Sequence, residues 1–189
     1  HSVGQYVARM DADDIAFNER LEKQADFLDQ NPNYGAVAGL AEYKSHSDDK
    51  TGFQKYVKWN NSVVTYEEIL KNRFIDSPVI NPTAMWRRET AHKHGMYQLG
   101  DFPEDYELWL RWLHEGVKIC KIPSFILQWH DYDKRLTRNH SIYSDEAFYK
   151  IKTLYLVKWL EKYNPFHPQV MVWGASRISR SRAQMLESY

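Results

Sequence analysis

Short apolar strands alternating with amphipathic helices, acidic residues where those strands end, and a length that suits one packed core predict an α/β fold. The chain has 189 residues, within the roughly 100–200 of a typical domain. Twenty-five Lys and Arg balance twenty-five Asp and Glu, so no excess positive charge draws in a phosphate backbone, and a nucleic-acid partner is not expected. No apolar run approaches the ~20 residues of a bilayer crossing, so no transmembrane segment is expected. The single cysteine, Cys120, sits in the apolar run 117–122. It can form neither an intrachain disulfide nor a Cys-rich zinc site, which fits a reducing, cytoplasmic compartment. The first residue is His1, and no basic-then-apolar leader follows, so the sequence reads as a fragment with a cut start.

Each element follows from its local pattern. Tyr6-Val7-Ala8-Arg9-Met10 reads as a strand running into Asp11-Ala12-Asp13-Asp14. Asn18 is a candidate N-cap for a helix with Leu21, Ala25 and Leu28 at helical spacing, ended by Asn31-Pro32. Residues 34–40 form a small-residue strand, and the polar stretch 45–52 an exposed connection. Thr65 and Glu68 have capping-box spacing for a helix over 65–72. Residues 82–86 suit a strand, and 87–94 a helix closed by Gly95. Asp105 is placed to N-cap a helix whose stripe is Leu108, Trp109, Trp112 and Leu113, ended by Gly116. Residues 117–122 and 124–129 read as two strands split by Pro123, 131–140 as a polar loop, and 142–163 as the longest helix. Val170-Met171-Val172-Trp173 and then Gly174 suggest strand, turn and helix start.

Two acidic constellations carry chemistry. On a strand, Asp11 and Asp13 face one way and can converge on a hard divalent cation, magnesium or manganese, that keeps positions open for diphosphate oxygens. Alone, such a cluster is better read as the end of a strand and the cap of the next helix. The second is Glu104-Asp105, where a carboxylate at a helix N-terminus can accept a proton from a hydroxyl; alone, it is better read as an ordinary Asp N-cap of an amphipathic core helix. Together they supply a metal-diphosphate site and a base, with seven Trp, thirteen Tyr and eight Phe available as core and as platforms for sugars. Two alternatives stay open at this point: an Asp-x-Asp phosphohydrolase, although Asp14-Ile15 stands where Gly-Thr is wanted, and a non-catalytic carbohydrate-binding module.

The runs from Tyr6 to Asp14, from Arg20 to Gln24, from Pro82 to Arg88 with Gly95-Met96-Tyr97, and from Glu104 to Arg111 resemble, in order and spacing, the family 2 glycosyltransferases of the GT-A fold. The likeness spans roughly residues 4 to 145. It implies the C-terminal part of a GT-A (Rossmann-like) domain over 1–140 that lacks the N-terminal nucleotide-binding portion, a helical linker over 141–168, and the start of a C-terminal Rossmann-like module over 169–189. It implies metal ligation by Asp13 with Asp11, Asp105 as the catalytic base supported by Glu104, and substrate contacts from Arg9, Asp11, Asp14, Trp129, His130 and Arg135. Trp129-His130-Asp131 stands where the family usually has Trp-Arg-Asp, and Asn81 stands where a histidine is expected. The implied reaction is inverting, metal-dependent transfer of a sugar from a nucleotide-sugar donor to a saccharide or lipid-linked acceptor. The implied setting is bacterial cell-surface polysaccharide biosynthesis, in the cytoplasm or peripheral to the inner membrane.

Overall fold

Strands β1 (Tyr6–Ala8), β2 (Ile15–Ala16), β3 (Tyr34–Ser45), β4 (Met85–Arg87) and β5 (Lys118–Asp131) form one sheet in the order β1-β4-β3-β5-β2. The structure is a computed structural model that describes residues 3–45, 51–132, 140–187 and 189. β3 and β5 pair in parallel along almost their whole length, and the other pairs are antiparallel. Among the described residues the helices are α1 (Arg20–Gln30), α2 (Thr51–Ser62), α3 (Tyr66–Asn72), α4 (Arg88–His94), α5 (Glu104–His114), α6 (Asp145–Tyr163) and α7 (Arg177–Leu186). The α/β expectation holds.

Alternate side chains of β3 feed two cores, as strand pleating requires. Ala36 and Ala38 join Trp86, Trp109, Trp112 and Ile119 on the face covered by α3 and α5. Val37 and Ala41 join Leu28, Val57, Leu127 and Trp129 on the face covered by α1 and α2. Trp86, Trp109 and Trp112 pack edge to face, with centroids 5.7–6.3 Å apart, each pair adding roughly 1 kcal/mol beyond its burial. β3 and β5 lie so close that a side chain at Gly39 would strike Ile126. A third cluster, Tyr106, Leu110, Ile151 and Tyr155, fastens α6 to α5. The helix inside the expected linker therefore packs on α5 of the preceding unit.

Several local expectations change. β1 ends at Ala8, and Asp11–Asp14 is a turn closed by Asp14 N donating to Asp11 O at 3.3 Å, so strand alternation does not bring the acids together. Helix α1 begins at Arg20 after Glu19 and not from an Asn18 cap, because Ile15 and Ala16 are held extended by pairing with Gln128 and Leu127. Its buried face is Arg20, Gln24 and Leu28, and Leu21 points outward. Helix α2 has no counterpart among the expected elements. Pro103, and not Asp105, holds the N-cap position of α5, and Asp105 is the helix's second residue. β5 runs through Pro123: Gly39 pairs with Ile122 and the next residue, Leu40, with Phe125, so Pro123 and Ser124 are absorbed as a bulge. Residues 170–173 are exposed and form no strand, although the following helix, capped by Ser176, does form. The connection expected over 45–52 falls mostly outside the described residues.

The buried pair Glu107–Arg111 ties three helices together. Arg111 donates to both Glu107 oxygens at 2.9 and 3.1 Å, to Gly95 O at 3.2 Å and to Met96 O at 2.7 Å, while the Tyr155 hydroxyl of α6 donates to Glu107 at 2.6 Å. Gly95 takes the turn with φ of 75°, open to glycine at little cost. Arg111→Met leaves a buried carboxylate short of its partner and is expected to cost roughly 3 kcal/mol in urea unfolding. Adding Glu107→Gln should recover part of that loss.

Candidate active site

The acid turn follows directly from β1. One oxygen from each of Asp11, Asp13 and Asp14 lies within 4.8 Å of the other two. Asp13 is exposed and Asp14 buried. Asp14 faces inward, its Oδ1 accepting from His130 N at 2.9 Å, which fastens the turn to the end of β5. Arg9 pairs with Asp11 at 2.6 Å. Beneath, the buried Arg20 donates to Arg9 O at 2.6 Å and to Gln24 Oε1 at 3.1 Å, and Gln24 donates to Val37 O and Thr83 O at 3.2 and 2.8 Å. Burial pulls the Arg20 guanidinium down to about 10, countered by the charge of Asp14. A set of hard carboxylate oxygens with one member open to solvent fits magnesium or manganese.

The second acidic pair lies within electrostatic reach of the first. Asp105 accepts from Tyr106 N at 2.7 Å. Burial first, then the like charges of Glu104 and Asp11, push its carboxyl up to about 7. Both Glu104 oxygens accept from the Tyr143 hydroxyl, at 3.0 and 2.8 Å. Two further phenols come within electrostatic reach of Asp105, Tyr56 and Tyr97. The Tyr97 hydroxyl donates to Asn81 Oδ1 at 2.8 Å, so the asparagine that replaces the expected histidine has a partner in the site wall.

The structure brings Arg9, Asp11, Asp13, Asp14, Glu104, Asp105 and His130 into one region. Trp129 is different: it is buried, with ring centroids 5.6–6.3 Å from Phe53, Tyr43 and Tyr56, and serves as core. The His130 ring stacks on Tyr132 at 6.2 Å. Arg135 lies outside the described residues. Sequence reasoning missed Tyr97 and Tyr143 as parts of the wall; no periodic signal marks either.

Because the native carboxyl of Asp105 titrates well above its unfolded counterpart, the native state holds this proton more tightly. Stability contributed by the neutral form is present below about pH 4 and is lost as pH rises through about 7. Asp105→Asn is expected to raise the melting temperature more at about pH 8 than at about pH 5, read by thermal melts at the two values.

The glycosyl transferase family 2 model matches residues 1–95. The amylovoran biosynthesis glycosyltransferase AmsE of Erwinia amylovora is 30% identical over 122 residues, covering 65% of this chain and 43% of that protein. A UDP-Gal:alpha-D-GlcNAc-diphosphoundecaprenol beta-1,3-galactosyltransferase of Escherichia coli is 31% identical over 110 residues, covering 58% of this chain and 38% of that protein. The crystal structure of S. aureus TarS 1–349 in complex with UDP-GlcNAc superposes with a TM-score of 0.57 at 15% identity, covering 99% of this chain and 48% of that one. The chain thus spans less than half the length of each of these proteins, and its fold is that of a GT-A glycosyltransferase. By the match over its first 95 residues, and with the acid turn and sheet described above, the chain belongs to glycosyl transferase family 2.

Proposed function

We propose that the protein is an inverting glycosyltransferase that moves a sugar from a nucleotide-sugar donor to a hydroxyl of a saccharide or lipid-linked acceptor. The observation that carries this reading is the acid turn, in which one oxygen from each of Asp11, Asp13 and Asp14 lies within 4.8 Å of the other two, in a chain of glycosyl transferase family 2. A UDP-GlcNAc complex of the structural neighbour and a diphosphoundecaprenol acceptor in the name of one relative support the donor and acceptor classes.

Asp105 accepts the proton of the acceptor hydroxyl as that oxygen attacks the anomeric carbon. The bond from this carbon to the diphosphate oxygen breaks, the nucleoside diphosphate leaves with the electron pair, and the configuration inverts. A carboxyl held near neutrality matches a base that works at neutral pH. Glu104 lies beside the base and orients the incoming hydroxyl. Asp11 and Asp13 would hold the divalent cation, which neutralises diphosphate charge when bound. Asp14 keeps the turn in register with β5, and Arg9 restrains Asp11. Polysaccharide assembly, with peripheral attachment to the membrane that holds a lipid-linked acceptor, fits this reading; among the described residues no helix is long and apolar enough to cross a membrane. The phosphohydrolase alternative gains nothing from the fold, and Asp14-Ile15 still lacks its Gly-Thr.

Calorimetry with manganese and UDP tests the two acidic sites separately. Asp13→Asn is expected to weaken manganese-dependent UDP binding at least roughly tenfold, and binding equal to wild type would sink the metal assignment. Asp105→Asn should keep that binding while the full-length enzyme loses roughly a thousandfold in transfer rate. Transfer by the wild-type enzyme should climb with pH through about 7, where Asp105 becomes ionised; a rate flat between about pH 6 and about pH 8 would count against Asp105 as the base.

A further inference from the structure

The Tyr143 hydroxyl meets both oxygens of Glu104, the residue that opens α5. Tyr143 comes from a different part of the chain. It ends the 3-10 turn Ser141–Tyr143, where Tyr143 N donates to His140 O at 3.0 Å. The next residue, Ser144, caps α6 by accepting from Ala147 N at 3.3 Å. Helix α6 is in turn fastened to α5 through Ile151 and Tyr155. The phenol is therefore held by a capped helix end and not by a free loop. Burial and the Glu104 carboxylate push its hydroxyl upward, so at neutral pH it remains a proton donor.

A lone carboxylate on the first turn of a helix has several rotamers and is free to swing toward water. A hydroxyl donating to both its oxygens removes that freedom. We propose that Tyr143 is a positioning residue, which pins the Glu104 carboxylate beside Asp105 so that the acid pair presents one fixed geometry to the acceptor hydroxyl. The role in transfer rests on the reading of Asp105 as the base; the coupling of Tyr143 to the acid pair does not.

The groups that reach Asp105 come from every side of the site. Glu104 is its neighbour on α5, and Asp11 lies in the acid turn. Tyr56 projects from α2, Tyr97 follows α4, and Tyr143 precedes α6. Arg9 reaches Tyr97 as well as Asp11. Of these, Glu104 is the charge that Tyr143 directly controls. Tyr143→Phe keeps the ring and removes the hydroxyl, so Glu104 is released and its repulsion of Asp105 weakens.

The test is carboxyl carbon NMR of the 189-residue chain, labelled at aspartate, with the Asp105 signal assigned by its loss in Asp105→Asn. Glu104→Gln is expected to lower the Asp105 titration midpoint by roughly one unit, and Tyr143→Phe to lower it by about half a unit, with the fold checked by thermal melting. The double variant should match Glu104→Gln alone, because the hydroxyl acts through Glu104. A wild-type midpoint in Tyr143→Phe, or an equal further drop in the Glu104→Gln background, overturns the proposal. Full transfer activity in Asp105→Asn would instead remove the base assignment and leave the midpoint series standing.

Discussion

One buried guanidinium fixes where the acid turn can be. Arg20 enters the sheet from the first turn of α1 and donates to the carbonyl of Arg9, just ahead of the acids, with Gln24 one turn further on holding Val37 and Thr83. Three segments far apart in sequence thus share one polar knot. Burying a charge is costly unless its donors are matched, and here they are matched by main-chain oxygens, by the Gln24 amide and by the charge of Asp14. A lysine at position 20 would carry the charge without the planar fork that reaches several acceptors.

Gathering the acids costs stability. Glu104, Asp105, Asp11 and Asp13 gather negative charge in a chain whose total is zero, and part of the cost falls on Asp105, held partly neutral near pH 7. Lys121 on β5 lies buried and donates to Asn60 Oδ1 at 2.6 Å, burial pulling its amine down to about 7. Cys120 is buried beside it, and desolvation pushes its thiol up to about 12, so it behaves as a small apolar side chain.

Elements with a local signal were legible in the sequence. The capping box of Thr65 and Glu68 forms as spaced, with Glu68 N donating to Thr65 at 3.2 Å, and the apolar stripe of α5 is buried where periodicity puts it. Where polar residues line the buried face, the pattern misleads. Helix α1 buries Arg20 and Gln24 while Leu21 faces water, and α2 buries Asn60, so neither shows a clean apolar stripe. The acidic residues of the site were legible because their types and spacing are chemical signals. Their convergence through a turn, the core role of Trp129 and the hydroxyl of Tyr143 depend on pairings that only the folded chain makes.

The hydrogen bond from His130 N to Asp14 joins residues 116 positions apart, and it bears on the order in which the molecule is built. The acid turn precedes β5 in the chain, so its anchor is made only after β5 has emerged and paired with β3. Contacts this distant form late because the loop they close costs entropy first. A nascent chain that stops short of β5 therefore carries the acidic residues without the registered turn.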